Sequence, residues 1–144
     1  METKTQFKFF IVDDDIFCAT LYNQYLVNMN YSDITHYCNG TDCITNLHLN
    51  PDIIFLDHNM EDINGFEVLK KIKRYNPNIY VVMISGQENI KTAVDALKYG
   101  AFDYVIKGND SHEKIELIIS KIIAVKEELK KTYPGFIKRL LSIF

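Results

Sequence analysis

Short apolar runs alternate with segments of helical periodicity five times along the chain. Phe9–Val12 reads as a first strand, followed by a helix from Ile16 to Met29. Asp33–Tyr37 is a short second strand, and Cys38-Asn39-Gly40 turns the chain toward a short helix, capped by Thr41, that runs to Leu49. Asp52–Leu56 is a third strand, too apolar to expose either face. Asn64 and Glu67 have capping-box spacing and open a helix that runs through Arg74. Ile79–Ile84 is a fourth strand. Gln87-Glu88-Asn89 then leads into a helix that stops at Gly100. Phe102–Ile106 is the fifth strand, and Asp110 with Glu113 has capping-box spacing before a long helix from Ser111 to Lys131.

Strands apolar on both faces and separated by helices require a parallel sheet covered on both sides. Right-handed crossovers make an α/β, doubly wound sheet the leading topology. Ligands in such folds sit beyond the carboxyl ends of the strands. The side chains at those ends are Asp13 and Asp14 after the first strand, Asp57 after the third, Ser85 after the fourth and Lys107 after the fifth. A carboxylate closing a buried strand costs free energy unless it is paired, hydrated or metal-bound. Several brought together repel one another unless a cation neutralises them. Magnesium suits such a cluster, because it takes one or two carboxylates and bridges to phosphate oxygens. A hydroxyl and an ammonium at the same point can hold phosphoryl oxygens, leaving one carboxylate to act as nucleophile.

With these motifs in order, the chain resembles the receiver domain of bacterial two-component response regulators from about Phe7 to Lys131. The stretches that carry the resemblance are Phe10-Ile11-Val12-Asp13-Asp14-Asp15, Asp52-Ile53-Ile54-Phe55-Leu56-Asp57-His58-Asn59-Met60, Val81-Val82-Met83-Ile84-Ser85-Gly86 and Gly100-Ala101-Phe102-Asp103-Tyr104-Val105-Ile106-Lys107. The resemblance implies a flavodoxin-like five-stranded parallel sheet, strand order 2-1-3-4-5, with helices on both faces. It implies Asp57 as phosphoacceptor. Mg2+, or Mn2+ in its place, would be held by Asp14 directly, Asp13 through water, Asp57 and the backbone carbonyl of Asn59. Ser85 and Tyr104 take the places of the family's switch pair, Lys107 that of its lysine, and Asn59 and Gln87 the positions that tune phosphoaspartate lifetime. The implied partners are a sensor histidine kinase or histidine phosphotransfer protein and a downstream effector, the latter engaging the face of the fourth helix, fifth strand and fifth helix. Such a domain catalyses its own phosphorylation and dephosphorylation and turns over no separate substrate.

Two positions depart from the family pattern. Glu61 follows Met60 where proline is usual, and Gly108 follows Lys107 where a cis-linked proline is usual. A cis bond without proline costs about 2.5–4 kcal/mol, which leaves a trans bond with a reshaped loop or a strained cis bond. These departures motivate the competing reading, a constitutive interaction module with a vestigial site. A further alternative, an aspartate-nucleophile hydrolase, fits less well, because its nucleophile follows the first strand.

Composition narrows the rest. The 144 residues suit one receiver domain, 1–131, and a short apolar and basic tail, 132–144. That tail reads as a short helix packed on the domain, a homodimer or partner contact, or a weak membrane-surface contact, with packing or self-association preferred. A net charge of -3 offers no general attraction to nucleic acid. No apolar run reaches the roughly 18 residues needed to span a bilayer. The start of the chain lacks a signal-peptide pattern. Three cysteines without a CxxC pair argue against a disulfide framework, so a reduced, cytoplasmic setting is expected. His36, His48, His58 and His112 have no zinc-ligand spacing. Asp15 reads as a helix-start residue favoured by the dipole.

Overall fold

The computed structural model describes residues 6–86 and 89–132. Five strands, β1 (Phe9–Val12), β2 (Ile34–Tyr37), β3 (Ile53–Asp57), β4 (Tyr80–Ser85) and β5 (Asp103–Ile106), form one sheet in the order β2-β1-β3-β4-β5. Every pairing is parallel. The helices between them are α1 (Ile16–Asn28), α2 (Gly40–Thr45, followed by the 3-10 turn Leu47–Leu49), α3 (Gly65–Tyr75) and α4 (Ile90–Lys98). This is the expected α/β, doubly wound sheet, flavodoxin-like in strand order. Beginning at β1, the chain winds outward first to β2 and then back past β1 to β3. That reversal leaves a crevice above the carboxyl ends of β1 and β3.

Alternation of side chains along each strand builds two layers. On one face Phe10, Val12, Ile54, Leu56, Val81 and Met83 bury against Cys43, Leu47, Val68, Leu69, Ile72 and Ala96 from the α2, α3 and α4 segments. On the other, the Phe9 ring stacks at 5.9 Å on Phe55 and meets Tyr31 edge-on at 4.9 Å. The buried face of α1 is Ala19, Tyr22 and Leu26. Leu21, on the same helix, is 37% exposed.

Capping sets the helix starts. Asp15 accepts from the backbone N–H groups of Phe17 and Cys18, Asn64 from Glu67 and Asn89 from Lys91. Each such cap is worth about 1 kcal/mol. One assignment changes: α2 is capped by Asn39, which accepts from the Asp42 N–H, and Thr41 instead donates through Oγ1 to Asp62 at 2.9 Å. Gly100, with φ +104°, ends the α4 segment in a conformation that L side chains rarely adopt.

The chain divides into two compact units, residues 1–112 and 113–144. Within the second lies most of α5 (Ser111–Thr132), in which Ile115, Ile118, Ile119 and Ile122 are buried and Leu129 is 43% exposed. The tail reading falls on residues 133–144, outside the described ones. No helix among the described residues is long and apolar enough to cross a membrane.

Candidate functional site

The carboxyl ends of β1 and β3 bring three acids together. Register pairs Val12 with Leu56, so Asp13 and Asp57 leave adjacent strands at the same height. One carboxylate oxygen each from Asp13, Asp14 and Asp57 lie within 4.8 Å of one another, a separation that a single cation can span. Asp13 and Asp57 are buried, whereas Asp14 is exposed. Asp15 belongs to another task, as the cap of α1.

Lys107 closes the site from β5. Its Nζ lies 3.5 Å from Asp13 Oδ2 and 3.5 Å from Asp57 Oδ1. The lysine is placed by backbone: its N–H donates to the Ser85 carbonyl at 2.8 Å, joining the ends of β4 and β5. After it the chain follows a trans peptide, since no cis bond occurs among the described residues. The Gly108 N–H donates to Ser111 Oγ at 3.0 Å, Ser111 Oγ donates to the Ile106 carbonyl at 3.4 Å, and the Ser111 N–H donates to the Gly108 carbonyl at 3.2 Å. A buried serine thus organises the loop without the usual proline. Its role had no signal in the sequence beyond its helix-start position.

Burial raises the Asp57 pKa to about 6, and the neighbouring Asp13 charge adds to the rise; Lys107 and the Asn59 N–H oppose it but do not win. The lysine feels the same site with opposite sign. Burial works against its ammonium, yet the Asp57 and Asp13 carboxylates outweigh that cost and raise its pKa. The balance of burial, the Asp13 charge and the Lys107 ammonium leaves Asp57 easier to protonate than an ordinary aspartate, and a bound cation would oppose that.

Ser85, at the end of β4, is fully buried one residue beyond the Asp57–Ile84 pair. Tyr104 on β5 pairs with Met83 and is half-buried against the α2–α4 core. Asn59 follows in the loop after β3, where its N–H donates to Asp57 Oδ1 at 3.4 Å and its side chain meets His58 Nδ1 at 3.1 Å. His58 packs edge-on against Phe66 at 4.7 Å. Gln87 lies outside the described residues.

The loop after β3 is held at both ends. Gly65 donates to the His58 carbonyl at 3.0 Å. A Cβ on Gly65 would come within 2.8 Å of His58 Cα and 2.9 Å of the Asp57 carbonyl oxygen. Asp62 accepts from the Gly40 and Thr41 N–H groups at 3.3 and 3.0 Å, tying the loop to α2. Asp62 is a residue that sequence reasoning missed, because its partners lie more than twenty positions away.

The sequence model of the family described as "Response regulator receiver domain" matches residues 9–119. The chain belongs to that family. As a receiver domain it is 30% identical over 136 residues to the luminescence regulatory protein LuxO of Vibrio campbellii, covering 88% of this chain and 30% of that protein. The chain thus spans less than a third of that curated relative's length. Among solved structures, the signal receiver domain of a putative Luxo repressor protein from Vibrio parahaemolyticus is 26% identical, with a TM-score of 0.77 over 86% of this receiver and 95% of that chain. A CheX–CheY–BeF3–Mg complex from Borrelia burgdorferi is 26% identical, with a TM-score of 0.75 over 81% of this receiver and 89% of that chain.

Proposed function

We propose that this receiver domain accepts a phosphoryl group on Asp57 from the phosphohistidine of a sensor histidine kinase or phosphotransfer protein, and that Mg2+ at Asp13, Asp14, Asp57 and the Asn59 carbonyl supports the transfer. The observation that carries this reading is Lys107 Nζ at 3.5 Å from both Asp57 and Asp13, above a three-acid cluster of cation size.

The Asp57 carboxylate attacks phosphorus, an O–P bond forms, the P–N bond breaks, and the electron pair leaves with the imidazole of the donor. With its pKa near 6, Asp57 is mostly ionised at neutral pH and so competent as a nucleophile. Lys107 faces the oxygens on which charge collects, and the buried Ser85, one residue past the Asp57–Ile84 pair, would offer its hydroxyl to a phosphoryl oxygen. Bound Mg2+ neutralises the clustered carboxylates and stabilises the negative charge of the transferred group. Asn59, and Gln87 by the family resemblance, orient the water that later hydrolyses the acyl phosphate.

The output follows from Ser85 and Tyr104 on adjacent strands. Movement of Ser85 toward the phosphoryl group shifts an existing equilibrium at β4, β5 and α4. α4 offers the effector an exposed apolar stripe, Ile90, Val94 and Leu97 at helical spacing, 84%, 55% and 51% exposed. The set of acids and lysine speaks against a constitutive module with a vestigial site.

The test is intact-protein mass spectrometry after incubation with candidate phosphorylated kinases and Mg2+. One added phosphoryl group is expected on the wild type and none on Asp57→Asn. Equal labelling of the two proteins, or none with Mg2+ and an active donor panel, removes the reading.

A further inference from the structure

The acids at the end of β1 depend on a strand that carries none of them. Parallel register sets Ile11 beside His36 and Val12 beside Tyr37. One step past the end of β1, the Asp13 N–H still donates to the Tyr37 carbonyl, at 3.1 Å. His36 Nε2 then lies 2.8 Å from the Asp13 carbonyl oxygen. A carbonyl oxygen only accepts, so Nε2 carries the hydrogen and the imidazole is the donor. On its side-chain end Asp13 is tied as well, accepting through Oδ1 from the Asp15 N–H at 2.9 Å.

The Asp13 carbonyl belongs to the peptide that joins Asp13 to Asp14. Rotating that plane about the Asp13 Cα–C bond carries the Asp14 Cα and its carboxylate with it. Asp14 is the exposed member of the cluster, whereas Asp13 and Asp57 are buried at the ends of their strands. We infer that His36 is a positioning residue for the cation site: by donating to the Asp13 carbonyl it fixes the peptide from which Asp14 projects, and so the distance of Asp14 from Asp13 and Asp57. This inference rests on the reading of those acids as a Mg2+ site. Magnesium tolerates little departure from octahedral geometry, so an acid set at the wrong angle loses affinity. Groups that orient ligands without touching the metal commonly matter by about tenfold or more.

The experiment is calorimetric titration of metal-free protein with Mg2+ alone, with metal-free melting recorded in parallel. His36→Gln and His36→Met have nearly the same shape and differ in the donor. His36→Met is expected to weaken Mg2+ binding about tenfold, His36→Gln to stay within about twofold of wild type, and both to melt alike without metal. Should His36→Met fail to fold, His36→Val, which favours a strand, replaces it. The inference is overturned if the donor-free variant binds Mg2+ like wild type, if His36→Gln is as weak as His36→Met, or if weakening tracks a matching loss of metal-free stability. Asp14→Asn separates the levels. If it abolishes binding while the His36 variants do not alter it, His36 alone is misassigned. If the wild type takes up no Mg2+, the cation reading falls and His36 with it.

Discussion

Lys107 Nζ sits 3.5 Å from Asp57 Oδ1, although a glycine follows the lysine where the family usually has proline. The same Nζ is equally far from Asp13 Oδ2, so the ammonium bridges both buried acids. Removing it takes from the buried acidic pair, and from the transferred group, the ammonium that Lys107 brings to them. Lys107→Ala is expected to lower the rate of phosphoryl transfer to Asp57 about a hundredfold, the scale of losing one preorganised charge-stabilising group. Lys107→Arg should keep the charge but recover only part of the rate. Stopped-flow or gel-based transfer kinetics check this, and an unchanged rate in Lys107→Ala would falsify the role.

The Asp57 environment sets a pH dependence whose sign can be worked out. Its pKa is about 6 in the folded protein, against about 3.9 in an unfolded chain. Between those values the folded state holds a proton that the unfolded chain has released, so stability is lost as pH rises through the window. Without metal, wild type should therefore lose on the order of 2–3 kcal/mol relative to Asp57→Asn between about pH 4 and pH 7. Urea melts in EDTA at several pH values measure the difference, and parallel profiles for the two proteins would refute it. Adding Mg2+ at neutral pH should raise the wild-type midpoint and leave that of Asp57→Asn less affected.

Two glycines near the site separate close approach from open space. At Gly65 a Cβ would meet the backbone of His58 and Asp57 at 2.8 and 2.9 Å, and Met83 Cε at 2.9 Å. At Gly86 nothing among the described residues lies within 4 Å of an added Cβ. Gly65→Ala should destabilise the fold by about 1–3 kcal/mol and slow Asp57 phosphorylation, because the strand end must shift. Gly86→Ala should change stability by less than about 0.5 kcal/mol. Denaturant midpoints for both variants decide it; equal effects would contradict the packing.

Ser111 holds the loop after Lys107 through its hydroxyl. Ser111→Ala removes the partner of the Gly108 N–H and is expected to cost about 1–2 kcal/mol. If the loop positions Lys107, the variant should also slow phosphoryl transfer several-fold, whereas Ser111→Thr should retain most of both. A Ser111→Ala variant with wild-type stability and rate would show that the loop holds its shape without the hydroxyl.

Periodicity in the chain determined the five strands and the helices between them, because a strand covered on both faces is apolar throughout and an amphipathic helix is not. Boundaries moved by a residue or two, as at β3, where the pairing of Asp57 with Ile84 extends the strand into the acid. Asp13, Asp14, Asp57, Ser85 and Lys107 were legible as a group, since parallel topology delivers every strand end to one edge of the sheet. The roles of His36, Asp62 and Ser111 were not. Each acts through a hydrogen bond to backbone, and backbone groups are the same at every residue, so no residue type announces the partner. Thr41 illustrates the reverse: a residue with capping chemistry whose hydroxyl went to Asp62, while Asn39 capped α2. The sequence by itself determined which charges gather at the carboxyl edge. Only the tertiary structure decided how they are held: the reach of Lys107 across a trans peptide, and the angle of the Asp13–Asp14 peptide under His36. Those depend on distances between chain segments that local chemistry does not encode.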